Sequence, residues 1–378
     1  MTTSPLLSRR GAVAAAGPDT GVAAHYGEPM HEQRDLERAR AVVDLSHLGV
    51  VTVSGSDRLS WLHTITSQHV SGLEAGQSTE ALVLDPNGRI EIAAAALEDG
   101  ERTWLITEAT TTTALVDYLE SMKFAMRVEV ASRTDLAVVG TAAQGPKVPG
   151  ALAQWLDPWP VTATGSTRYG PADHDHPGAQ WQAAMSVVPR DELETTVRAT
   201  EVAPTQGDSG APGGKSVTLA GVWAWEALRV AAWRPRHARE VDERTIPHEL
   251  DWLRTAVHLE KGCYRGQETI ARVFTLGRPP RRLTMLHLDG SEHTTPAVGA
   301  RVLNGEKDVG YITSVVRHHE LGPVALAVLK RNVDPEVTLS ADGLAATQEV
   351  IATPEGIGTG RPPPQPRPRP NPALRRRP

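Results

Sequence analysis

Alternation of apolar and polar positions first becomes regular at Val50-Val51-Thr52-Val53-Ser54-Gly55, which reads as a strand ending in a turn. Ser56-Asp57 then offers a helix N-cap, and Leu59, Leu62, Ile65 and Val70 follow at near-helical spacing, predicting a helix over 57–67. Residues 81–84, 89–96 and 103–107 read as three strands. They are separated by the turns Asp85-Pro86-Asn87-Gly88 and Glu98-Asp99-Gly100, where Pro presets φ and Gly accepts a positive one. Leu115, Tyr118, Leu119 and Met122 share one face of a second helix over 111–122, and strands over 127–130 and 135–140 follow.

A weaker copy of this pattern comes next: a strand over 182–188, a helix over 191–200 and a longer helix over 217–233. Beyond Arg272 the texture changes to short strands at 283–288, 299–302, 309–316 and 324–329, the pattern of a small barrel ending near Ile351. The expected organisation is a disordered leader (1–24), an α+β domain (25–132), a second α+β domain (133–279), a β-barrel (280–352) and a disordered tail (353–378).

Composition sharpens this picture at the ends of the chain. The net charge is −6, yet the segment 361–378 holds six Arg, eight Pro and no acid, leaving the remainder at −12. Such a tail is expected to be extended and solvated, and an acidic body argues against nucleic acid as the main partner. A single cysteine in 378 residues excludes an internal disulfide and any cluster held by this chain's thiolates alone, and it points to a reducing, cytoplasmic setting. Ser8-Arg9-Arg10 is followed by too short and too small an apolar run for an export signal, and no stretch approaches a membrane span. The Gly/Pro/Ser-rich 203–216 reads as a flexible loop. Its Gly210-Ala211-Pro212-Gly213-Gly214-Lys215-Ser216 has three residues where a phosphate-binding loop needs four. His174-Asp175-His176 and His318-His319 lack the spacing of a dedicated metal motif and read as solvated histidines, so no metal site is expected.

The lone thiol lies in Lys261-Gly262-Cys263-Tyr264-Arg265-Gly266-Gln267-Glu268, just before a helix that begins near Gln267, with Glu268 and Arg272 at a favourable i,i+4 spacing. The helix end and Lys261 favour the thiolate, while Glu260 and Glu268 oppose it. Three readings stay open: a nucleophile, a redox or metal-sharing thiol, or a small buried residue. From spacing alone the last is the default.

This octapeptide resembles the signature of the YgfZ family of folate-binding proteins, relatives of the glycine cleavage T-protein (aminomethyltransferase). Other segments are similar to the family's motifs: residues 43–49 (VDLSHLG), 53–57 (VSGSD), Glu226-Ala227-Leu228-Arg229-Val230, the stretch from Asp242 to Pro247 with Glu249, and 310–314 (GYITS). The resemblance implies an α+β, T-protein-like fold: two ferredoxin-like α+β domains around a central channel, plus a C-terminal small β-barrel. It implies tetrahydrofolate or another reduced folate as ligand, with Arg229 contacting its carboxylates and Tyr264, Gln267 and Glu268 as further binding residues. Cys263, with Lys261, becomes the functional centre of an accessory protein for iron–sulfur cluster assembly or repair, whose partners are iron–sulfur client or assembly proteins. One departure counts against aminomethyl transfer. T-protein enzymes carry an aspartate pair after this hairpin, where the present chain has Ile92 and Ala93. An aminomethyltransferase would have to use another acid, Glu91 or Asp85 being nearest, and Glu91 is expected on the opposite face of its strand. A folate sensor with a merely structural Cys263 is the third possibility. Trp223, Trp225 and Trp233 flank Arg229 and are read as core, with one available to stack on a pterin.

Overall fold

A computed structural model describes residues 3–202, 217–291 and 294–363. The predicted loop 203–216 and the end of the tail lie outside the described residues. The chain begins with a 3-10 turn at Pro5–Ser8 and a short hairpin of β1 (Val13–Ala14) and β2 (Ala23–His25), followed by α1 (Pro29–Glu37) and β3 (Ala41–Asp44). Then come β4 (Gly49–Ser54), α2 (Arg58–Ile65), β5 (Ser78–Leu84), β6 (Ile90–Glu98), β7 (Arg102–Thr107), α3 (Thr112–Ser121) and β8 (Glu129–Ser132). These five strands form one sheet in the order β5-β6-β7-β4-β8. Its inner face buries Val51, Ile92 and Leu105 against Trp61, Leu62, Leu115 and Leu119 of the two helices, of which Leu62, Leu115 and Leu119 are among the residues whose spacing predicted them.

The second sheet is ordered β10-β11-β9-β3-β12, from β9 (Leu136–Ala142), β10 (Ala153–Leu156), β11 (Ala183–Pro189) and β12 (Thr218–Ala220), with α4 (Leu193–Glu201) beside it. Strand β3 therefore belongs to this sheet, paired in parallel with β12 and antiparallel with β9. A clean boundary at 132/133 is thereby corrected, because β3, which lies within the first expected domain, pairs in the second sheet. The long helix expected over 217–233 is also corrected. Residues 218–220 are strand, Gly221 turns the chain, and α5 runs Val222–Ala231. A Cβ on Gly221 would lie 2.2 Å from the carbonyl oxygen of Ala24, so only glycine lets this corner pack there.

After α6 (His237–Glu240), α7 (Leu253–Ala256) and α8 (Gln267–Thr275), six strands close into a barrel. They are β13 (Arg281–Leu288), β14 (Arg301–Asn304), β15 (Lys307–His318), β16 (Gly322–Lys330), β17 (Leu339–Ala341) and β18 (Leu344–Val350). One apolar cluster joins the parts, uniting Leu82 and Leu84 of the first sheet with Trp233, Trp252, Tyr264 and Ile270, and with Leu283 and Met285 of the barrel.

Two expected disordered ends are folded as far as they are described. In the leader, Leu6 is buried, Ser4 Oγ donates to Asp44 at 2.5 Å, and Asp19 is buried among arginines. The periodicity test missed this arm because alanine and glycine carry little hydrophobic signal. Past the barrel, the N–H of Thr353 donates to the carbonyl of Tyr169, and the Arg361 guanidinium donates to the carbonyls of Thr275 and Gly277.

Candidate functional site

Between the two sheets lies a cleft with a cavity volume of about 130 Å³. Ala93, Ala95 and Ile106 supply one wall, Trp155, Trp181 and Met185 another, and Trp225 of α5 a third. Small side chains on β6 keep the space open, while three indoles offer flat apolar surface to a planar guest. Trp181 and Trp225 stand edge to face, with centroids 5.5 Å apart. Of the three tryptophans around Arg229, only Trp225 serves the cleft. Trp233 is buried, its indole N–H 3.0 Å from Met285 Sδ, and Trp223 is largely exposed on the far side of α5.

The polar rim is a set of paired charges. Arg234 donates to Glu80 (2.7 Å) and Asp157 (2.9 Å), and its guanidinium carbon lies 5.4 Å from the Trp159 ring and 5.8 Å from the Trp252 ring. Thr255 Oγ1 adds a second donor to Glu80. Burial raises the Asp157 carboxyl above its ordinary value despite the charge of Arg234. Arg236 is bidentate to Glu108 (2.7 and 2.9 Å) and also reaches Asp19 (2.7 Å). Burial opposes ionisation of Asp19. The close contact of His47 (3.3 Å) and the charge of Arg236 prevail, holding it well below the usual carboxylate range. None of these residues was expected from the sequence. They come from separate segments that only the fold brings together, and only Trp225 had been singled out.

Arg229 borders the cleft, but the role expected for it is corrected by its geometry. Its Nε and Nη2 donate to the two oxygens of Glu226 (2.9 Å each). Nη1 donates to Glu240 (2.9 Å) and to the carbonyl of Arg234 (2.7 Å), and Nη2 also to Ser314 Oγ (2.7 Å). A guanidinium has five N–H groups, and all five are engaged by protein. Arg229 ties α5 to α6 and the barrel and has no donor left for a ligand carboxylate.

The KGCYRGQE loop lies outside the cleft and lines no part of it. Lys261 is buried, and Nζ donates to the carbonyls of His63, Thr66 and Gln68, closing the C-terminal end of α2. Burial pushes its ammonium down to about 7. Its Nζ also sits 5.0 Å from the Tyr264 ring centre. Tyr264 is core, and burial raises its hydroxyl. Gln267 Nε2 donates to the carbonyl of Lys261 (3.1 Å), while the exposed Glu268 pairs with Arg272 (2.6 Å). As binding residues of the cleft, Tyr264, Gln267 and Glu268 are thus corrected, and Lys261 is a clasp. Gly266 has φ +84°, and a Cβ there would lie 2.5 Å from the carbonyl oxygen of Asp85 and 2.9 Å from Gly88 Cα. The loop is therefore seated on the tip of the β5–β6 hairpin. Cys263 is exposed, which removes the reading of a small buried residue.

Neither candidate acid is free in the cleft. Asp85 accepts from the backbone N–H groups of Asn87 (2.7 Å) and Arg89 (2.8 Å), holding the hairpin turn. Glu91 ion-pairs with Arg265 of the loop at 2.8 Å. By strand alternation Glu91 shares its face with Ala93 and Ala95, opposite to Ile92, which points into the core with Ala94 and Ala96. The other histidines also need correcting. His176 is buried between Trp159 and Trp233, and His318 is buried rather than solvated, whereas His174 is exposed as expected.

With this geometry established, the fold is of the α+β, T-protein-like class. Residues 16–179 match the family model of the GCVT N-terminal domain. The structure superposes on the glycine cleavage system aminomethyltransferase T from Bartonella henselae with a TM-score of 0.69 at 18% identity, covering 93% of this chain and 97% of that one. Among sequence relatives, an Arabidopsis thaliana protein bearing the name "Putative transferase, chloroplastic" is 30% identical over 280 residues. That match takes in 72% of this chain and spans 61% of the relative's own length. An aminomethyltransferase of Streptomyces coelicolor is 25% identical over 317 residues, 82% of each chain. One from Saccharopolyspora erythraea is 26% identical over 339 residues, 85% of this chain and 88% of its own. The chain is thus homologous to aminomethyltransferase and T-protein-like proteins. No helix among the described residues is long and apolar enough to cross a membrane.

Proposed function

We propose that this protein binds a reduced folate such as tetrahydrofolate in the central cleft and uses it as an accessory protein, not as an aminomethyltransferase. The observation that carries this reading is the face of β6. Ala93, one of the two positions (with Ile92) where by resemblance T-protein enzymes carry their aspartate pair, lines the cleft beside Ala95. Alanine cannot move a proton, and Glu80, Glu108 and Asp157 are already held by Arg234 or Arg236. The indoles of Trp155, Trp181 and Trp225 fit a flat pterin. Cys263 stands in solvent on a clasped loop, in reach of another macromolecule, which suits the iron–sulfur assembly or repair role that the octapeptide suggests. One thiol holds no cluster alone, so a client or assembly protein supplies the remaining ligands.

The second reading, a folate-dependent aminomethyltransferase, is favoured by the names of the relatives, and it requires one of the rim acids to leave its arginine. The two readings divide in one set of measurements. Tryptophan-fluorescence titration with tetrahydrofolate, checked by calorimetry, is expected to saturate, and Trp225→Ala is expected to weaken binding about tenfold, the worth of one good stacking contact. Absence of any saturable response sinks both readings. Formaldehyde-equivalent transfer to tetrahydrofolate in a reconstituted glycine cleavage assay supports the enzyme instead.

A further inference from the structure

A second constellation lies away from the cleft, at the joint between α1 and the barrel. His318 ends β15, His319 starts the turn after it, and Glu37 ends α1. One ligand atom from each of the three lies within 4.8 Å of the others. The imidazoles are 4.6 Å apart at their centres, and His319 Nε2 is 3.1 Å from Glu37 Oε2. The His319 side chain is only 3% exposed, yet its Nε2 has no hydrogen-bond partner. A buried nitrogen aimed at a carboxylate without a formed hydrogen bond is a costly arrangement unless something else takes its lone pair.

The surroundings hold the trio in place. The backbone N–H of His319 donates to Gln33 Oε1 (3.0 Å), and Gln33 Nε2 donates to the carbonyl of Arg317 (3.0 Å), so α1 and the end of β15 are already fastened side by side. Nδ1 of His318 accepts from the N–H groups of Glu320 and Leu321 (3.2 Å each), and Nε2 is the ring nitrogen left to the trio. A metal taking Nε2 binds the neutral ring, so the Nε2 proton moves to Nδ1, which gives up those two long contacts. The contrast is the cluster of His63, His69 and His258. There the rings touch at 4.6 and 5.1 Å, but His69 Nε2 bonds Ser71 and His258 Nδ1 accepts from Glu260, and their ligand atoms do not converge.

We propose that Glu37, His318 and His319 form a site for one divalent transition-metal ion of borderline softness, of which Zn²⁺ is the type. Two imidazoles and a carboxylate are the donor set such an ion accepts. Glu37 is 38% exposed, so the fourth position faces solvent. The ion ties α1 to the barrel across a joint that Gln33 also bridges.

The test titrates Zn²⁺ against the full chain in competition with a chromophoric chelator. One ion per chain is expected to be withdrawn from the chelator. Glu37→Gln and His319→Gln are each expected to weaken binding at least tenfold, with His69→Ala and His174→Ala unchanged. Co²⁺ in place of Zn²⁺ should give the intense visible bands of a four-coordinate ion. The proposal is overturned if the wild-type chain withdraws no zinc, if the two glutamine variants bind as it does, or if the cobalt spectrum is that of a hydrated surface ion. Should His319→Gln fail to fold by circular dichroism, Glu37→Gln, isosteric and half exposed, decides alone.

Discussion

The cleft and the KGCYRGQE loop reverse the roles that their sequences advertise. The loop has the recognisable motif, yet most of it is structural: Lys261 fastens a helix end, Tyr264 is core, Gln267 ties the loop to itself, and only Cys263 and its charged neighbours meet solvent. The cleft has no short motif, yet it has the aromatic walls and the buried charges of a binding site. A motif marks where a chain's shape is tightly specified. Whether that shape touches a ligand is decided by which way the side chains face.

The strongest challenge to this comparison is Arg229→Met. If the guanidinium is a structural tie, its loss leaves Glu240 buried without an ion partner and Glu226 with only Arg236 and Arg239, and urea unfolding should show a loss of about 3–5 kcal/mol. Unchanged stability with a large fall in folate affinity would restore Arg229 to the ligand. Lys261→Met comes next. Three carbonyls at the end of α2 lose their donor, for an expected cost of about 3 kcal/mol, with folate affinity unaltered because no loop residue lines the cleft. A parallel fall in affinity would merge the two regions into one site.

Acid probes both regions at once. Burial lowers His248, whose Nε2 contacts the carbonyl of Ile270 beneath the loop, to about 3, and lowers His176, under the cleft floor, also to about 3. Unfolded, both take a proton near pH 6.5, so the unfolded state binds more protons between about pH 6.5 and 3. Stability is therefore expected to fall as pH drops through that window, and His248→Gln should flatten part of the slope in thermal melts. The smallest stability effect belongs to Cys263→Ser. At an exposed position a change within about 0.5 kcal/mol is expected, together with rapid labelling of the native wild-type thiol. A large destabilisation or a silent thiol would return Cys263 to the structural class.

How far the sequence revealed this arrangement varied by region. Strands β4 to β9 and their helices were legible because Val, Leu and Ile recur there at periods of two and 3.6, and because Asn87-Gly88 and Asp99-Gly100 mark the turns. The arm before α1 was not, since its buried side chains are few and its main anchor is one carboxylate, Asp19, held by arginines more than 200 positions away. The exchange of β3 into the second sheet was equally hidden, because alternation shows that a strand exists but not which neighbour it pairs with. The empty acid position at Ala93 was legible through the resemblance. The charged rim was not, because Glu80, Asp157 and Arg234 meet only after folding.

The contact between Gly266 and the hairpin tip carries a consequence for how such a chain can vary over generations. A side chain on Gly266 would strike Asp85 and Gly88, one on Gly88 would press on Thr269 and Gly266, and both glycines have a backbone shape that disfavours any replacement. A side chain added at either position crowds the other segment, although 177 residues separate the two glycines along the chain. The strand whose alanines face the cleft and the loop that displays the thiol are thus held under one steric constraint.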